Sequence, residues 1–196
     1  MGSCKHYVNP KEPGITCFVT ATCLDFAHLF HRSELKTQMC LSILDDCIRH
    51  QAKLKGFVVM GHHIHLLVRP NPNENISQLM QPIKENAVAR IKPLLNDFEL
   101  NQLSMQSGLS RRTFWKRSFR GNPIYSEPVY LQKLHYLHAN PVRSKYCASA
   151  EEYLWSSAHI RQFGWFDEDD AIDLSLATQF YENMRVTEYL ASTATS

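Results

Sequence analysis

Paired cysteines and long apolar runs are both missing from this chain of 196 residues. Its 6 cysteines form no C-x-x-C pair, so neither a zinc ribbon nor a disulfide framework is indicated. No apolar run approaches the roughly 20 residues that cross a bilayer, and the first residues, MGSCKHYVNPKEPG, lack a signal-peptide core. We therefore expect a soluble, cytoplasmic protein whose length suits one domain with appendages.

Acidic side chains are almost absent from residues 111–145, although the whole chain carries a formal net charge of only +2. In that segment Glu127 alone opposes Arg111, Arg112, Lys116, Arg117, Arg120, Lys133, Arg143 and Lys145. Aromatic residues alternate with these cations, a composition typical of surfaces that bind single-stranded nucleic acid. A solvated basic surface over core aromatics explains the same composition about equally well. The charge balance reverses after residue 145, and we expect residues 161–196 to be an acidic C-terminal extension that solubilises or masks the protein.

Residues 57–70, FVVMGHHIHLLVRP, read as a buried strand that contains histidines. Alternate side chains of a strand point to opposite faces, so His63 and His65 share one face and Ile64 points to the other. Two imidazoles about 7 Å apart on a rigid face can bind one divalent ion. Taken alone, the pattern is more often an exposed or hydrogen-bonded histidine pair than a metal site.

The predicted elements follow the order strand, helix, strand, strand, helix, strand. Residues 14–24 read as the first strand, and a helix from Ser33 to about residue 50 follows. Strands are predicted at 53–60 and 62–69, then a helix from near Asn75 that Pro82 should kink or split. A fourth strand is predicted at 114–119, after an irregular insertion at about 95–112. This order predicts an α+β, ferredoxin-like (split βαβ) antiparallel sheet with helices packed on one face, within a single domain at residues 1–160.

A second helix signal covers residues 127–139, with Ser126 and Pro128 at its start and Asn140 and Pro141 at its end. Tyr136 and Asn140 are four residues apart and project from one side of this helix. Periodicity alone favours an amphipathic core tyrosine at position 136 over a nucleophile.

Taken in order, the segments VVMGHHIHLLV, FWKRSF and LHYLHANPV, with YLWSSA at 153–158, resemble the tyrosine transposases of the HUH single-strand endonuclease superfamily. The resemblance is greatest to the REP-associated tyrosine transposases and spans roughly residues 14–160. It implies that His63 and His65 bind the metal, that Tyr136 is the nucleophile, and that Asn140 is a third ligand. Many relatives have Pro-Asn where this chain has Gly61 and His62. The tail motif is matched by Trp155, Ser156 and Ser157, which we expect to pack or to contact DNA.

The resemblance further implies a transposase that requires Mg²⁺ or Mn²⁺. It would cleave single-stranded DNA at hairpin-bearing repeats through a 5′-phosphotyrosine intermediate and then rejoin strands, in transposition or REP-type repeat mobilisation. We expect DNA contacts from Lys116, Arg117, Arg120 and Lys133. We also expect a site completed within one chain, although the assembly could be a monomer or a homodimer.

Other functions remain open from the sequence. A ferredoxin-like sheet with basic and aromatic residues also suits a non-catalytic single-stranded nucleic-acid-binding module. A metal-dependent phosphodiesterase that uses water as its nucleophile is another alternative. A third is a domesticated relative that binds repeats without transposing.

Overall fold

A computed structural model describes residues 9–24, 27–100 and 114–194, with side chains described as far as residue 187. In chain order the strands and helices are β1 (Cys17–Thr22), α1 (Ser33–Arg49), β2 (Lys53–Val59), β3 (His63–Arg69), α2 (Ile76–Ile91), β4 (Arg120–Pro123), α3 (Glu127–Arg143), α4 (Ser157–Arg161) and α5 (Leu174–Ala194). Arg111, Arg112 and most of the predicted insertion at 95–112 lie outside the described residues.

The four strands form one sheet in the order β2-β3-β1-β4, and every neighbouring pair is antiparallel. The two crossovers, from β1 to β2 and from β3 to β4, each contain a helix. This is the split βαβ arrangement, so the predicted α+β, ferredoxin-like fold class is confirmed.

One face of the sheet is apolar along every inner strand and is covered by α1 and α2. Cys17, Val19 and Ala21 alternate along β1 and belong to the same buried cluster as Ile64 and Leu66 of β3. Both helices contribute their own apolar stripes to this cluster. Burial of these side chains accounts for the main core of the protein.

The opposite face carries a smaller apolar cluster and the polar side chains of β3. Phe18, Val58 and Leu67 form this cluster with Leu137 of α3. The prediction that the helices pack on one face therefore holds for α1 and α2, whereas α3 lies on the other face. The residues of β1 to β3 that point to this other face are also partly apolar, so a further helix is needed to cover them.

Two helices continue through prolines that were expected to interrupt them. An Asn75–Gln78 capping box begins α2, which continues unbroken past Pro82 to Ile91. Likewise α3 runs past Pro141, which is buried, to Arg143. A proline within a helix removes one hydrogen bond at a cost of about 3 kcal/mol, and the apolar packing on both sides offsets that cost.

The fourth strand lies later in the chain than predicted. Residues 114–119 make one isolated bridge, between Trp115 and Cys23, and regular pairing begins at Arg120. The amide of Lys116 donates to the carbonyl of Thr22 at 2.9 Å, and the chain then bends at Arg117 before regular pairing begins. The Trp115 indole donates to the carbonyl of Lys84 in α2 at 3.1 Å.

The segment after α3 returns to the outer edge of β2. The amide of Val59 donates to the carbonyl of Trp155 at 2.9 Å, and the amide of Ile172 donates to the carbonyl of Leu54 at 2.8 Å. Further along, α5 packs on α1 and buries Tyr181 completely. A division of the chain at residue 160 remains a prediction. Within the described residues, no helix has the length and apolar character needed to cross a bilayer.

Removing part of the central core should measurably destabilise this fold. Leu66 is fully buried in the main cluster, so Leu66→Ala should lower the free energy of unfolding by about 2–5 kcal/mol. Chemical denaturation would measure this loss. Leu131 is 54% exposed, and the matched Leu131→Ala variant should lose less than about 1 kcal/mol. Equal losses in the two variants would contradict the assigned core.

Candidate active site

The polar centre of the open sheet face is the histidine pair on β3. The rings of His63 and His65 have centroids 4.7 Å apart, as alternation along the strand requires. Thr20, the cross-strand partner of His65, places its hydroxyl 2.9 Å from the Nδ1 atom of His65. The Nε2 atom of His65 is buried and has no hydrogen-bond partner among the described residues. An imidazole with Nδ1 engaged and Nε2 unengaged is suited to ligate a metal ion.

Burial keeps both histidines in the neutral form. It lowers the pKa of His63 to about 4, and the neighbouring His62 lowers it further. Burial lowers the pKa of His65 to about 3, with smaller effects from His63 and Lys133. At neutral pH both rings therefore keep a nitrogen lone pair, which is the state that binds a divalent ion.

Tyr136 of α3 lies against this pair. Its ring centroid is 5.6 Å from that of His65 and 5.9 Å from that of Phe18, in edge-on contacts. Phe18 itself stacks on His65 at 5.2 Å. The Tyr136 side chain is 39% exposed, so a substrate can reach it from solvent. The contacts with Phe18 and His65 restrict the orientation of its ring.

Asn140 follows Tyr136 by one helical turn. Its Nδ2 atom donates to the Tyr136 carbonyl at 2.9 Å, which restricts the orientation of the amide. Among the described residues, no three histidine, cysteine, aspartate or glutamate side chains are arranged to hold a metal. A site at the histidine pair thus requires a further ligand of another type, and the Asn140 amide oxygen is of a type that suits hard divalent ions.

The four predicted DNA-contacting residues form two groups. Arg120 and Lys133 lie near the histidine face, and Lys116 and Arg117 lie in the segment before β4. Arg120 pairs with Thr20, which in turn pairs with His65, so two strand spacings of about 5 Å each separate Arg120 from His65 on the same face. Lys133 places its Nζ atom 5.3 Å from the centre of the Phe18 ring. Lys116 lies near His62. Burial lowers the pKa of His62, and the charges of His28 and Lys116 lower it further. Arg117 is exposed in the same segment.

Three residues at the site were missed by sequence reasoning. Phe18 and Thr20 support His65 from β1, and no local signal identifies them because their position depends on the register between β1 and β3. Arg143 places its guanidinium 5.5 Å from the centre of the Tyr136 ring. Its spacing of seven residues from Tyr136, two helical turns, would have identified it if the helix had been predicted to continue past Pro141.

The turn before β3 leaves little space for a side chain at position 61. A Cβ atom on Gly61 would lie 2.9 Å from Nδ1 of His28 and 3.0 Å from the Tyr146 hydroxyl. The ring of His62 lies beside His63, with centroids 4.5 Å apart. Glycine at position 61 therefore allows two side chains to approach the turn closely.

The sheet face thus carries a histidine pair, and the helix that bears Tyr136 lies against it. In sequence comparison, the chain matches the family described as IS200-like transposases over residues 23–140. The chain belongs to this family, and the family prediction is confirmed. It is accordingly a transposase, a DNA-processing enzyme.

One of two similar solved structures supports the fold. The structure of the REP-associated tyrosine transposase bound to a REP hairpin is 19% identical, covers 79% of this chain and 83% of its own, and gives a TM-score of 0.58. A candidate transposase from Deinococcus radiodurans R1 is 18% identical, covers 69% of this chain and 95% of its own, and gives a TM-score of 0.46. A comparison with curated protein sequences found no match.

The neutral histidines make stability depend on pH. Because the pKa of His65 is about 3 in the folded chain against an ordinary 6.5, the unfolded chain takes up a proton that the folded chain does not. Stability should therefore fall as the pH drops below 6.5, by roughly 1–2 kcal/mol for this residue by pH 5.

Urea unfolding at pH 7 and pH 5 in metal-free buffer would measure this loss. The His65→Gln variant should lose less stability than the native chain over this range. A matched Gln132→Ala change, at an exposed position of α3 that does not titrate, should leave the pH dependence as it is. Identical pH dependence in the native and His65→Gln proteins would contradict the assignment of a neutral, buried His65.

Proposed function

We propose that this transposase cleaves and rejoins single-stranded DNA with Tyr136 as the nucleophile, with the help of a divalent metal ion. The observation that carries the proposal is the position of Tyr136, partly exposed and in ring contact with His65. The family assignment supports a transposition reaction. A similar fold binds a REP hairpin, which supports hairpin-bearing single strands as the substrate class.

The metal site would consist of His63, His65 and Asn140. The buried, unengaged Nε2 atom of His65 fits this assignment, because burying a polar atom without a partner costs free energy that ligation recovers. A mixed nitrogen and oxygen donor set suits Mg²⁺ or Mn²⁺. When bound, the ion supplies Lewis-acid polarisation of the scissile phosphate.

The chemical step exchanges one phosphodiester for another. The Tyr136 oxygen attacks the phosphorus and loses its proton to water, while the bond from phosphorus to the 3′ oxygen breaks. The 3′ oxygen takes up a proton and leaves as a free hydroxyl, so the 5′ phosphate stays on the tyrosine. Because the ester bond is conserved, a second 3′ hydroxyl can reverse the step and join strands without ATP.

Cations around Tyr136 would stabilise the charge of this reaction. A tyrosine hydroxyl is a weak nucleophile at neutral pH, so positive charge near its ring favours attack. Lys133 and Arg143 lie on the two sides of the site, over Phe18 and Tyr136 respectively. Lys116 and Arg117, in the segment before β4, and Arg120, at its first residue, would bind the phosphates of the incoming strand.

The proposal is tested with 5′- and 3′-labelled single strands from the flanks of the gene, incubated with protein and Mn²⁺ and separated on denaturing gels. We expect a covalent adduct through the 5′ phosphate of the downstream fragment, so that the 3′ label stays with the protein and the 5′ label is released, and we expect EDTA to abolish it. The Tyr136→Phe variant should form no adduct but bind DNA as before, because it lacks only the attacking oxygen.

Tyr125 provides a matched control. It is 75% exposed, and Tyr125→Phe should form adduct at the native rate. Binding without adduct in the native protein would favour the non-catalytic module, and cleavage that persists in Tyr136→Phe would favour water as the nucleophile.

We also propose that each chain completes its own site, as α3 packs on its own sheet through Leu137. A mixture of Tyr136→Phe and His65→Ala proteins then contains no chain with both functional parts, and should form no adduct. Recovery of adduct in the mixture would show that α3 is exchanged between two subunits. Light scattering that shows an obligate dimer with an inactive monomer would contradict this arrangement.

A further inference from the structure

The buried side of α3 carries a histidine that the proposed reaction does not use. His138 lies two residues after Tyr136 and therefore projects from nearly the opposite side of the helix. Its Nε2 atom is 2.8 Å from the hydroxyl oxygen of Ser157. Ser157 is fully buried and is the last residue of the Trp-Ser-Ser tail motif.

The Ser157 hydroxyl connects this histidine to the backbone of β2. It accepts a hydrogen bond from the Phe57 amide at 3.0 Å and donates to the Phe57 carbonyl at 3.3 Å. Both groups are available because β2 is an edge strand, so its outward amides and carbonyls have no strand partner there. One side chain thus joins α3, the tail and the sheet.

Gly56 brings α3 unusually close to this strand. A Cβ atom at position 56 would lie 3.0 Å from Cδ1 of Leu134 and 3.7 Å from Cδ1 of Leu137, both in α3. It would also lie 3.4 Å from the Ser157 hydroxyl. A side chain at position 56 would therefore crowd Leu134 of the helix, next to the hydrogen bonds of Ser157.

The charge state of His138 is consistent with a fixed buried contact. Burial lowers the pKa of His138 to about 4, and Arg161 lowers it further, against the opposing effects of Glu151 and Asp170. A neutral imidazole can remain beside the apolar residues of α3 without the cost of burying a charge.

We propose that His138 is a positioning residue: through Ser157 and the Phe57 backbone it fixes the rotation of α3, so that Tyr136 on the other side of the helix faces His65. The inference rests on the proposed function. It assigns the Trp-Ser-Ser tail a role in holding the nucleophile in place, since Ser157 supplies the contact. Misplacement of a reacting atom by about 1 Å can lower a rate about 100-fold.

The first test separates binding from cleavage. His138→Ala should lower the rate of adduct formation by roughly 10- to 100-fold. DNA affinity should stay within about threefold, because the groups proposed to bind phosphates lie elsewhere. His138→Gln keeps a nitrogen near the Nε2 position and should recover most of the rate. The exposed His135→Ala, on the same helix, should behave as the native protein.

The second test does not depend on activity. Hydrogen exchange of peptides covering residues 131–143 should be faster in His138→Ala and in Ser157→Ala, while peptides of β3 keep their native exchange. The double variant should be no worse than either single variant, because both remove the same contact. Ser157→Ala removes one oxygen atom and keeps the proposal testable if His138→Ala does not fold.

These measurements distinguish the inference from the proposed function. If the native protein forms no adduct, the proposed nucleophile fails, and faster exchange of α3 in the two variants still supports the contact as the constraint on this helix. Native exchange of α3 in both variants overturns the inference. A native adduct rate in folded His138→Ala, or a failure of His138→Gln to recover the rate, overturns it as well.

Discussion

The register between β1 and β3 is the constraint on which the rest of the site depends. Pairing Thr20 with His65 puts the Thr20 hydroxyl beside the imidazole and aligns Phe18 with Leu67 on the same face. A slip of one residue would exchange the two faces of β3 and move the histidines into the main core. Because Ile64, Leu66 and Val68 are fully buried between the sheet and its helices, that slip would also expose apolar side chains. The same hydrophobic pattern therefore stabilises the fold and places the histidines on the sheet face opposite the main core.

Strand and helix order could be predicted from the sequence because periodicity is a local property. Alternation alone placed His63 and His65 on one face, and helical spacing placed Tyr136 and Asn140 on one side. What could not be predicted depends on contacts distant in sequence. Thr20 lies 45 residues from its partner His65, and nothing near it in sequence marks it as a support for a ligand. The continuation of α3 to Arg143 depends on burial of Pro141, which no propensity scale includes.

The site combines two requirements that usually conflict. Burial keeps its histidines neutral, yet the tyrosine beside them is open to solvent. The structure separates the two by placing them on different elements, the histidines on a strand and the tyrosine on a helix that covers only part of the face. Precision at the site then depends on how firmly that helix is attached. Gly56, Leu137 and Ser157 lie where α3 meets the sheet and the tail.

Occupation of the β2 edge by main chain from Trp155 and Ile172 has a further consequence for how the molecule meets other proteins. An unpaired strand edge is where a foreign peptide or a second sheet can add by backbone pairing, and it is a common start of aggregation. Here that edge is already filled from within the chain, and on the other outer strand the Gly121 amide is bonded to the Asn9 side chain. Sheet extension is thus disfavoured at both of these positions, so recognition is directed to the faces of the sheet, where the charged groups are.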